Sequence, residues 1–576
     1  MQAARRLYLY AMSGITLAVI ATGAVLLLQA LLDGIVPRSD FADAFDNTRQ
    51  GLSQAIAMLG VGIPVWAVHW WLIQRSLRPA SAEREAERRS DIRAAYLTAV
   101  LVVSLVVWVS SSIDFLRWLA TQVLFSGDPE FAFHDPLGAL TTGITGFAIW
   151  LYHGLVRRHD LAAGPVSGAA AWLPRLYLYG VSLGALLSAV SALDTFIGQA
   201  ISSPFVEFED NFSTFYVLER AATAIAWGIV WFAHWTYAAR LVRDPGWRGA
   251  EERVSRMRAG AYAIAIVVSA GATLIGLAGI LGALLALVLP EPGFETDRGF
   301  NEVVASLLRA VPWAIVWFGH ARAFRREPAA ADPLRALHQE RLVSHGIAAA
   351  ALAIGAAGTG WILGYLIDFL LGGQRSVFGL DGSLIELRQW LPFAVVGMAA
   401  WYRAWRTVIA RRVLDPIGEA RSTIRRAFLY LTLGVALVVA LAAAALILYR
   451  FVGLVLNAGL GGNLVTELST PLGALVTAGA VLLYHGLQLR GDLALAAPAA
   501  GADVAPGPVV VPDAGGVGDE APIAASVPVP ADAAVATVME RRVLELIGPP
   551  GADLDAALAA ARSALPSGIE IVTGDT

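Results

Sequence analysis

Residues 427–449 read AFLYLTLGVALVVALAAAALILY and carry no charged side chain. At ~1.5 Å of rise per residue such a run is long enough, as a helix, to cross a hydrocarbon core of ~30 Å. Soluble cores seldom need an uninterrupted apolar helix of this length. Met12–Leu32 is a second run of the same kind. Of the 576 residues 57% are hydrophobic and only 15% charged, against about 25% charged in soluble domains. The charges collect between the apolar runs, so the runs are expected to be transmembrane helices. The opening MQAARRLYLY leads straight into the first run. That run is longer than a signal-peptide core, and no small-residue cleavage site follows it, so it is expected to be a retained span.

Residue types that are missing exclude several chemistries. There is no cysteine, and all 42 basic residues are arginine. Disulfides, thiolate zinc sites, Cys-ligated iron–sulfur clusters and c-type haem attachment are therefore excluded. So are a P-loop lysine and Schiff-base catalysis. A net charge of −4 gives no sign of nucleic-acid binding. The preference for arginine over lysine, with abundant Ala and Gly, fits a GC-rich bacterial genome.

A short phrase recurs along the chain: WAVHWWLIQR from Trp66, WLYHGLVRR from Trp150, WFAHWTYAAR from Trp231 and WFGHARAFRR from Trp317. Its histidines are His69, His153, His234 and His320, and His485 closes the series. Arg403 stands where a further member is due, so the successive spacings are 84, 81, 86, 83 and 82 residues. A second landmark opens each unit, an arginine followed four residues later by tyrosine: Arg6/Tyr10, Arg175/Tyr179, Arg258/Tyr262 and Arg426/Tyr430. Unit two has Arg93 and Tyr96, and unit five has Arg341 and His345. Residues i and i+4 share a helix face, which places arginine and ring at one membrane interface. The shared phrase RLYLY in units one and three hints at an older duplication of paired units.

A repeat of this length sets the fold. The expectation is an all-α polytopic membrane protein of about twelve transmembrane helices in six two-helix repeats: 1–79, 80–165, 166–247, 248–331, 332–415 and 416–496. Residues 497–535 are rich in Ala, Pro and Gly, hold no aromatic residue, and read as a flexible linker. Residues 536–576 form a small tail segment, with a helix expected over 553–565 before Pro566. Connectors after the histidine phrase carry arginines such as Arg75, Arg157, Arg240, Arg325 and Arg411, whereas the loops within units carry mainly acids. The positive-inside rule then places the connectors and both termini in the cytoplasm of a bacterial inner-membrane protein.

A pair of spans opening with RRLYLY or PRLYLYG and closing with W-x-x-H before arginines resembles an uncharacterised bacterial membrane family, domain of unknown function 5671. The resemblance covers about residues 1–495 and is weaker in units four and five, which lack RLYLY. It implies a membrane fold and no activity, and it supplies no catalytic residues.

Two sets of polar residues are candidates for a role. The tyrosine that opens the first helix of a unit and the histidine that closes the second lie at one depth. A hydrogen-bonded clip is therefore expected within or between the pairs Tyr10 and His69, Tyr96 and His153, Tyr179 and His234, Tyr262 and His320, His345 and Arg403, and Tyr430 and His485. The plainer alternative makes the histidine an interfacial anchor among aromatic rings. Ligation of haem b or of a metal by facing histidines is a third reading; otherwise no cofactor or metal is expected. The second set comprises Asp33, Asp114, Arg117, Asp194, Asp368 and Arg450, near the opposite interface, either as wet surface ion pairs or as a binding vestibule. Gly355–Gly364 and Gly271–Gly282 are expected to let helices approach closely.

No catalytic fingerprint stands in a suitable context, and acid and base residues do not converge. The functional expectation is a non-enzymatic scaffold or accessory subunit of a membrane assembly. It would contact lipids and, through the C-terminal segment, a protein partner. The alternative is a transporter or channel with its path between the repeats.

Overall fold

The computed structural model describes residues 2–33, 41–77, 82–125, 136–162, 164–202, 211–290, 296–327, 333–371, 381–456 and 463–496. The chain divides into Met1–Ala500 and Gly501–Thr576. The second part, and with it the expected linker and tail, lies outside the described residues.

The described residues are all-α, without strands. Twelve long helices pair into six hairpins. They are α1 (Gln2–Asp33) with α2 (Phe41–Ser76), α4 (Asp91–Phe125) with α5 (Pro136–Ala162), and α6 (Ala169–Ser202) with α7 (Asn211–Val242). They continue with α9 (Arg256–Val288) and α10 (Thr296–Arg325), α11 (Pro333–Leu370) and α12 (Asp381–Leu414), and α14 (Thr423–Val455) and α15 (Leu464–Ala496). Three short helices, α3 (Ala82–Arg88), α8 (Trp247–Arg253) and α13 (Pro416–Arg421), stand between hairpins one and two, three and four, and five and six. Ten of the long helices are long and apolar enough to cross a membrane. The other two, α7 and α12, are diluted by Trp227, Trp231, His234 and Trp235, and by Arg403 and Arg406.

One packing rule builds the array. Successive first helices touch one another, α1 to α4 to α6 to α9 to α11 to α14. Each second helix also leans on the first helix of the preceding hairpin: α5 on α1, α7 on α4, α10 on α6, α12 on α9 and α15 on α11. Hairpins therefore contact chiefly their neighbours in sequence, the arrangement of a solenoid. The interior first helices α4, α6 and α9 are the most covered, and the end helices α1 and α14 the least. On α14 the side chains of Leu431, Val435, Val438 and Leu441 are exposed. Such a surface suits lipid rather than water.

Lipid tails are as apolar as leucine, so helices in a bilayer are held by close packing rather than by the hydrophobic effect. The seams follow this rule. A Cβ placed on Gly397 would stand 2.3 Å from the backbone nitrogen of Gly355, and one on Gly276 would stand 2.6 Å from the Cβ of Ala310. Both glycine-rich stretches thus sit at close helix approaches, α11 against α12 and α9 against α10.

The short helices are fixed by local caps. Asp415 accepts from the Gly418 amide at 2.9 Å with Pro416 at the first turn of α13, and Ser255 caps α9 directly after α8. Capping of this kind satisfies amides that a helix start leaves open. Its consequence here is to hold one glutamate of α8 and of α13 at the entrance of the next hairpin.

Candidate functional site: ionic junctions at the arginine end

The recurring histidines first satisfy their own helix. In His69, His153, His234, His320 and His485 the Nδ1 lies 2.7–3.0 Å from the carbonyl four residues back. A carbonyl only accepts, so Nδ1 carries the proton and Nε2 is left as an acceptor in the neutral ring. A tryptophan from the neighbouring hairpin and a tyrosine of the histidine's own helix then enclose the imidazole. His153 meets Trp70 at 5.7 Å and Tyr152 at 5.1 Å between centroids, and His485 meets Trp405 at 5.5 Å and Tyr484 at 5.1 Å. Trp70 Nε1 donates to the Tyr152 hydroxyl, and Trp405 Nε1 to that of Tyr484.

The tyrosines behave differently from the simple clip. Tyr96 lies 3.4 Å from His153 Nε2. The hydroxyl near His69, however, belongs to Tyr8, and the one near His234 to Tyr177. Tyr10 and Tyr179 are two residues further along and point to the opposite side of the helix, because each residue turns the helix by about 100°. Both hydroxyls donate to buried glutamates, Tyr10 to Glu87 at 2.8 Å and Tyr179 to Glu252. Tyr262 stands edge-on to His320 with 6.1 Å between centroids, but its hydroxyl donates to Glu327 at 3.0 Å. His345 packs against Phe428, while Arg403 is exposed and donates to Thr407. Tyr430 is 56% exposed; one residue of register separates it from the buried side, where Arg425, Phe428 and Leu429 sit.

These glutamates belong to a network that repeats three times. In the first copy Arg6 donates to Glu87 at 2.7 Å, Arg93 donates to the Tyr10 hydroxyl at 3.0 Å, and Arg93 pairs with Asp160 at 2.7 Å. In the second, Arg175 pairs with Glu251 and Glu252, Arg258 donates to Tyr179 at 3.2 Å, and Arg258 pairs with Glu327 at 2.8 Å. In the third, Arg341 pairs with Glu419 at 2.7 Å and Arg425 with Asp492 at 2.6 Å. Each copy joins two hairpins through the short helix between them. The structural repeat is accordingly a four-helix module, occurring as α1–α5, α6–α10 and α11–α15. The third copy lacks the bridging hydroxyl, since His345 stands at the register of Tyr10 and Tyr179. There Arg425 Nη1, Glu419 Oε2 and His345 Nε2 are buried without a hydrogen-bond partner.

Outside the membrane-spanning helices, α3 carries a further pairing. Hydrogen bonds from Arg88 and then Arg89 hold the Glu85 carboxyl below its usual range. Arg88 also donates to the carbonyls of Asp160 and Gly164, which fastens α3 to the end of α5.

The seven acids of the network, Glu251 included, escaped the sequence reading. Their signal is positional: Glu87, Glu252 and Glu419 each precede a network arginine by six residues, and Asp160, Glu327 and Asp492 each follow a histidine by seven. The pattern occupies alternate histidine phrases only, so a search at the single-hairpin period dilutes it.

At the other end of the bundle the polar candidates form separate pairs. Arg117 pairs with Asp114 at 3.0 Å and reaches Glu219 at 3.4 Å. Asp194 accepts from Arg309 at 2.7 Å and from Trp313 at 3.3 Å. Arg450 pairs with Glu467 at 3.0 Å, and Asp368 is buried. The side chain of Asp33 lies outside the described residues. The contacts of Arg117 and Asp194 follow the packing rule, with a first helix meeting the second helix of the next hairpin. They are dispersed pairs, and no group of three or more His, Cys, Asp or Glu that could hold a metal occurs among the described residues.

Residues 6–152 and 341–480 match the family model described as Domain of unknown function (DUF5671). Each match covers most of one four-helix module, the first and the third. It includes hairpin five despite its missing RLYLY phrase and leaves out hairpins three and four. In the unmatched module Gly319 stands where Tyr152 and Tyr484 precede the histidine, and the Trp–Tyr hydrogen bond has no acceptor there. No curated protein and no solved structure matches the chain.

Proposed function

Because the chain belongs to the family of domain of unknown function 5671 through residues 6–152 and 341–480, a description that carries no activity, we propose from its geometry that it is a non-enzymatic scaffold or accessory subunit of a membrane assembly. One observation supports this reading above the others. Buried charges at the arginine end are engaged with one another, within hairpins by Arg93 with Asp160, Arg258 with Glu327 and Arg425 with Asp492, and from one hairpin to the short helix before the next by Arg6 with Glu87, Arg175 with Glu252 and Arg341 with Glu419. They stiffen the row of helices instead of lining a path through it. Intramembrane ionisable groups otherwise mark ion or substrate pathways. The seams between helices are filled by small and apolar side chains such as Ala265, Ala270, Leu274 and Ala278 on α9. A long, laterally exposed apolar row offers many equivalent faces to lipid or to a partner.

The arginine end faces the cytoplasm of a bacterial inner membrane in this proposal, since Arg75, Arg240, Arg325 and Arg411 all lie there. Residues 497–576 then extend into the cytoplasm and supply the contact with a soluble partner.

The test separates a scaffold from a carrier. The full chain, crosslinked in native membranes, is expected to retain a stoichiometric protein partner that is lost on deletion of 497–576. Vesicles reconstituted with the full chain are expected to be as tight to ions and small solutes as empty ones. Saturable solute flux that survives the deletion would replace the scaffold with a transporter.

A further inference from the structure

At most histidine phrases the residue four positions after the histidine is buried and apolar. Ile73, Ala238 and Phe324 all sit in the core at this register, and Leu489 packs against it. Hairpin two departs from the pattern with Arg157, which is only 7% exposed. Among the described residues its guanidinium makes one hydrogen bond, to Thr98 Oγ1 at 2.9 Å, and no ion pair, and the charge of Asp160 acts on it only through space. The nearest acid in sequence, Asp160, is held by Arg93. A buried cation without a counter-charge is costly. Nothing in the packing of α5 requires one there, because its counterparts are aliphatic or aromatic.

Arg157 opens into a groove of about 370 Å³ between α5, α6, α7 and α8. The groove has two parts. Its wall is apolar, with Leu151, Leu155 and Leu178 on one side and Leu241 on the other; Leu151 and Leu155 are exposed. Its mouth is basic. Arg158 is exposed and makes no ion pair among the described residues, and Arg248 donates to the uncharged Tyr237 hydroxyl at 3.0 Å. The two acids on the rim, Glu251 and Glu252, are both taken by Arg175. Arg157, Arg158 and Arg248 thus face one concavity, and among the described residues none of them forms an ion pair.

We propose that this groove is a binding site for an anionic phospholipid, its phosphate between Arg157, Arg158 and Arg248 and an acyl chain along Leu151 and Leu155. A basic pocket between helices at the membrane surface is the environment that anionic headgroups occupy. The phosphate supplies the charge that Arg157 lacks, and the chain covers apolar surface that a free phosphate would leave bare. The groove lies where α5 of the first module meets α6, α7 and α8 of the second, so an occupied site ties two modules together. The proposal stands independently of the scaffold reading.

The full chain is placed in phosphatidylcholine nanodiscs with and without phosphatidylglycerol, and its thermal midpoint and retained lipid are measured, the latter by native mass spectrometry. Phosphatidylglycerol is expected to raise the midpoint of the wild type. Arg157→Leu, which restores the apolar residue of the other hairpins, is expected to be at least as stable as wild type in phosphatidylcholine alone. It should retain about fivefold less phosphatidylglycerol, the effect of one arginine near a headgroup. Gly154→Leu keeps every arginine and fills the groove wall, where a Cβ meets only Leu101 at 3.8 Å; it too is expected to lose the lipid. Equal phosphatidylglycerol retention and equal midpoint shift in wild type and both variants would overturn the proposal. So would inorganic phosphate in phosphatidylcholine discs reproducing the whole shift, because the ligand would then be the free anion.

Discussion

The guanidinium of Arg425 and the carboxylate of Asp492, 67 residues apart in the chain, meet at 2.6 Å with side-chain exposures of 0% and 1%. The pair closes the third module as Arg93 and Asp160 close the first, and it binds α14 to α15 at the arginine end.

Neutralising one partner leaves the other charge buried. Asp492→Asn is expected to cost about 3–5 kcal/mol, the usual effect of breaking a buried pair. Replacing both residues by leucine is expected to recover part of that loss, because the desolvation cost of the pair disappears together with its attraction, while Arg412, which also pairs with Asp492 at 3.0 Å, loses that carboxylate. Thermal or chemical unfolding of the full chain in nanodiscs measures both. A double variant no more stable than Asp492→Asn would show that the pair contributes more than charge cancellation.

The third module offers the opposite experiment. His345→Tyr places a hydroxyl at the register of Tyr10 and Tyr179, where it can accept from Arg425 and donate to Glu419. Buried polar atoms without partners cost about 1–3 kcal/mol each, so the substitution is expected to raise the thermal midpoint. The reverse change, Tyr179→Phe, is expected to lower stability by a similar amount. A neutral or destabilising His345→Tyr would show that ring volume, not the hydroxyl, decides this position.

Helix approach supplies a third prediction. Gly397→Ala would drive a methyl group to 2.3 Å from the Gly355 backbone, forcing α11 and α12 apart. Overpacking of this kind typically costs about 1–3 kcal/mol. Gly434→Ala on α14 meets nothing within 4 Å and is expected to be neutral or stabilising by up to about 1 kcal/mol through helix propensity. The difference between the two in one unfolding assay isolates sterics from propensity.

Orientation can be read directly, because the chain has no cysteine of its own. Arg243→Cys follows the end of α7, the second helix of its hairpin, and Pro290→Cys follows the end of α9, the first helix of its hairpin, so the two stand at opposite ends of the bundle. A membrane-impermeant maleimide is expected to reach Cys at 290 in intact spheroplasts, and Cys at 243 only in inside-out vesicles. The reverse pattern would place the arginine end outside.

Much of the architecture was legible because it is set by local physics. Apolar runs such as 427–449 fix where helices cross, and a period near 80 residues fixes their pairing into hairpins. The tyrosine and histidine landmarks located the arginine end correctly, since Tyr8, Tyr96 and Tyr177 all meet imidazoles there. Their partners were less legible. Tyr10 and Tyr179 share a helix with Tyr8 and Tyr177, and only the rotation of α1 and α6 against their neighbours decides which hydroxyl reaches a histidine and which a glutamate.

The sequence alone determined the class of the fold, the number of hairpins and the separation of arginine-bearing connectors from acidic loops, because each depends on composition within a span. The tertiary structure decided which charges neutralise one another. Arg93, Arg258 and Arg425 find acids more than sixty residues away, whereas Arg157, on the same helix as Asp160, forms no ion pair among the described residues. Ion pairing in a low-dielectric interior depends on distance and desolvation in space, and neither can be read from position along the chain.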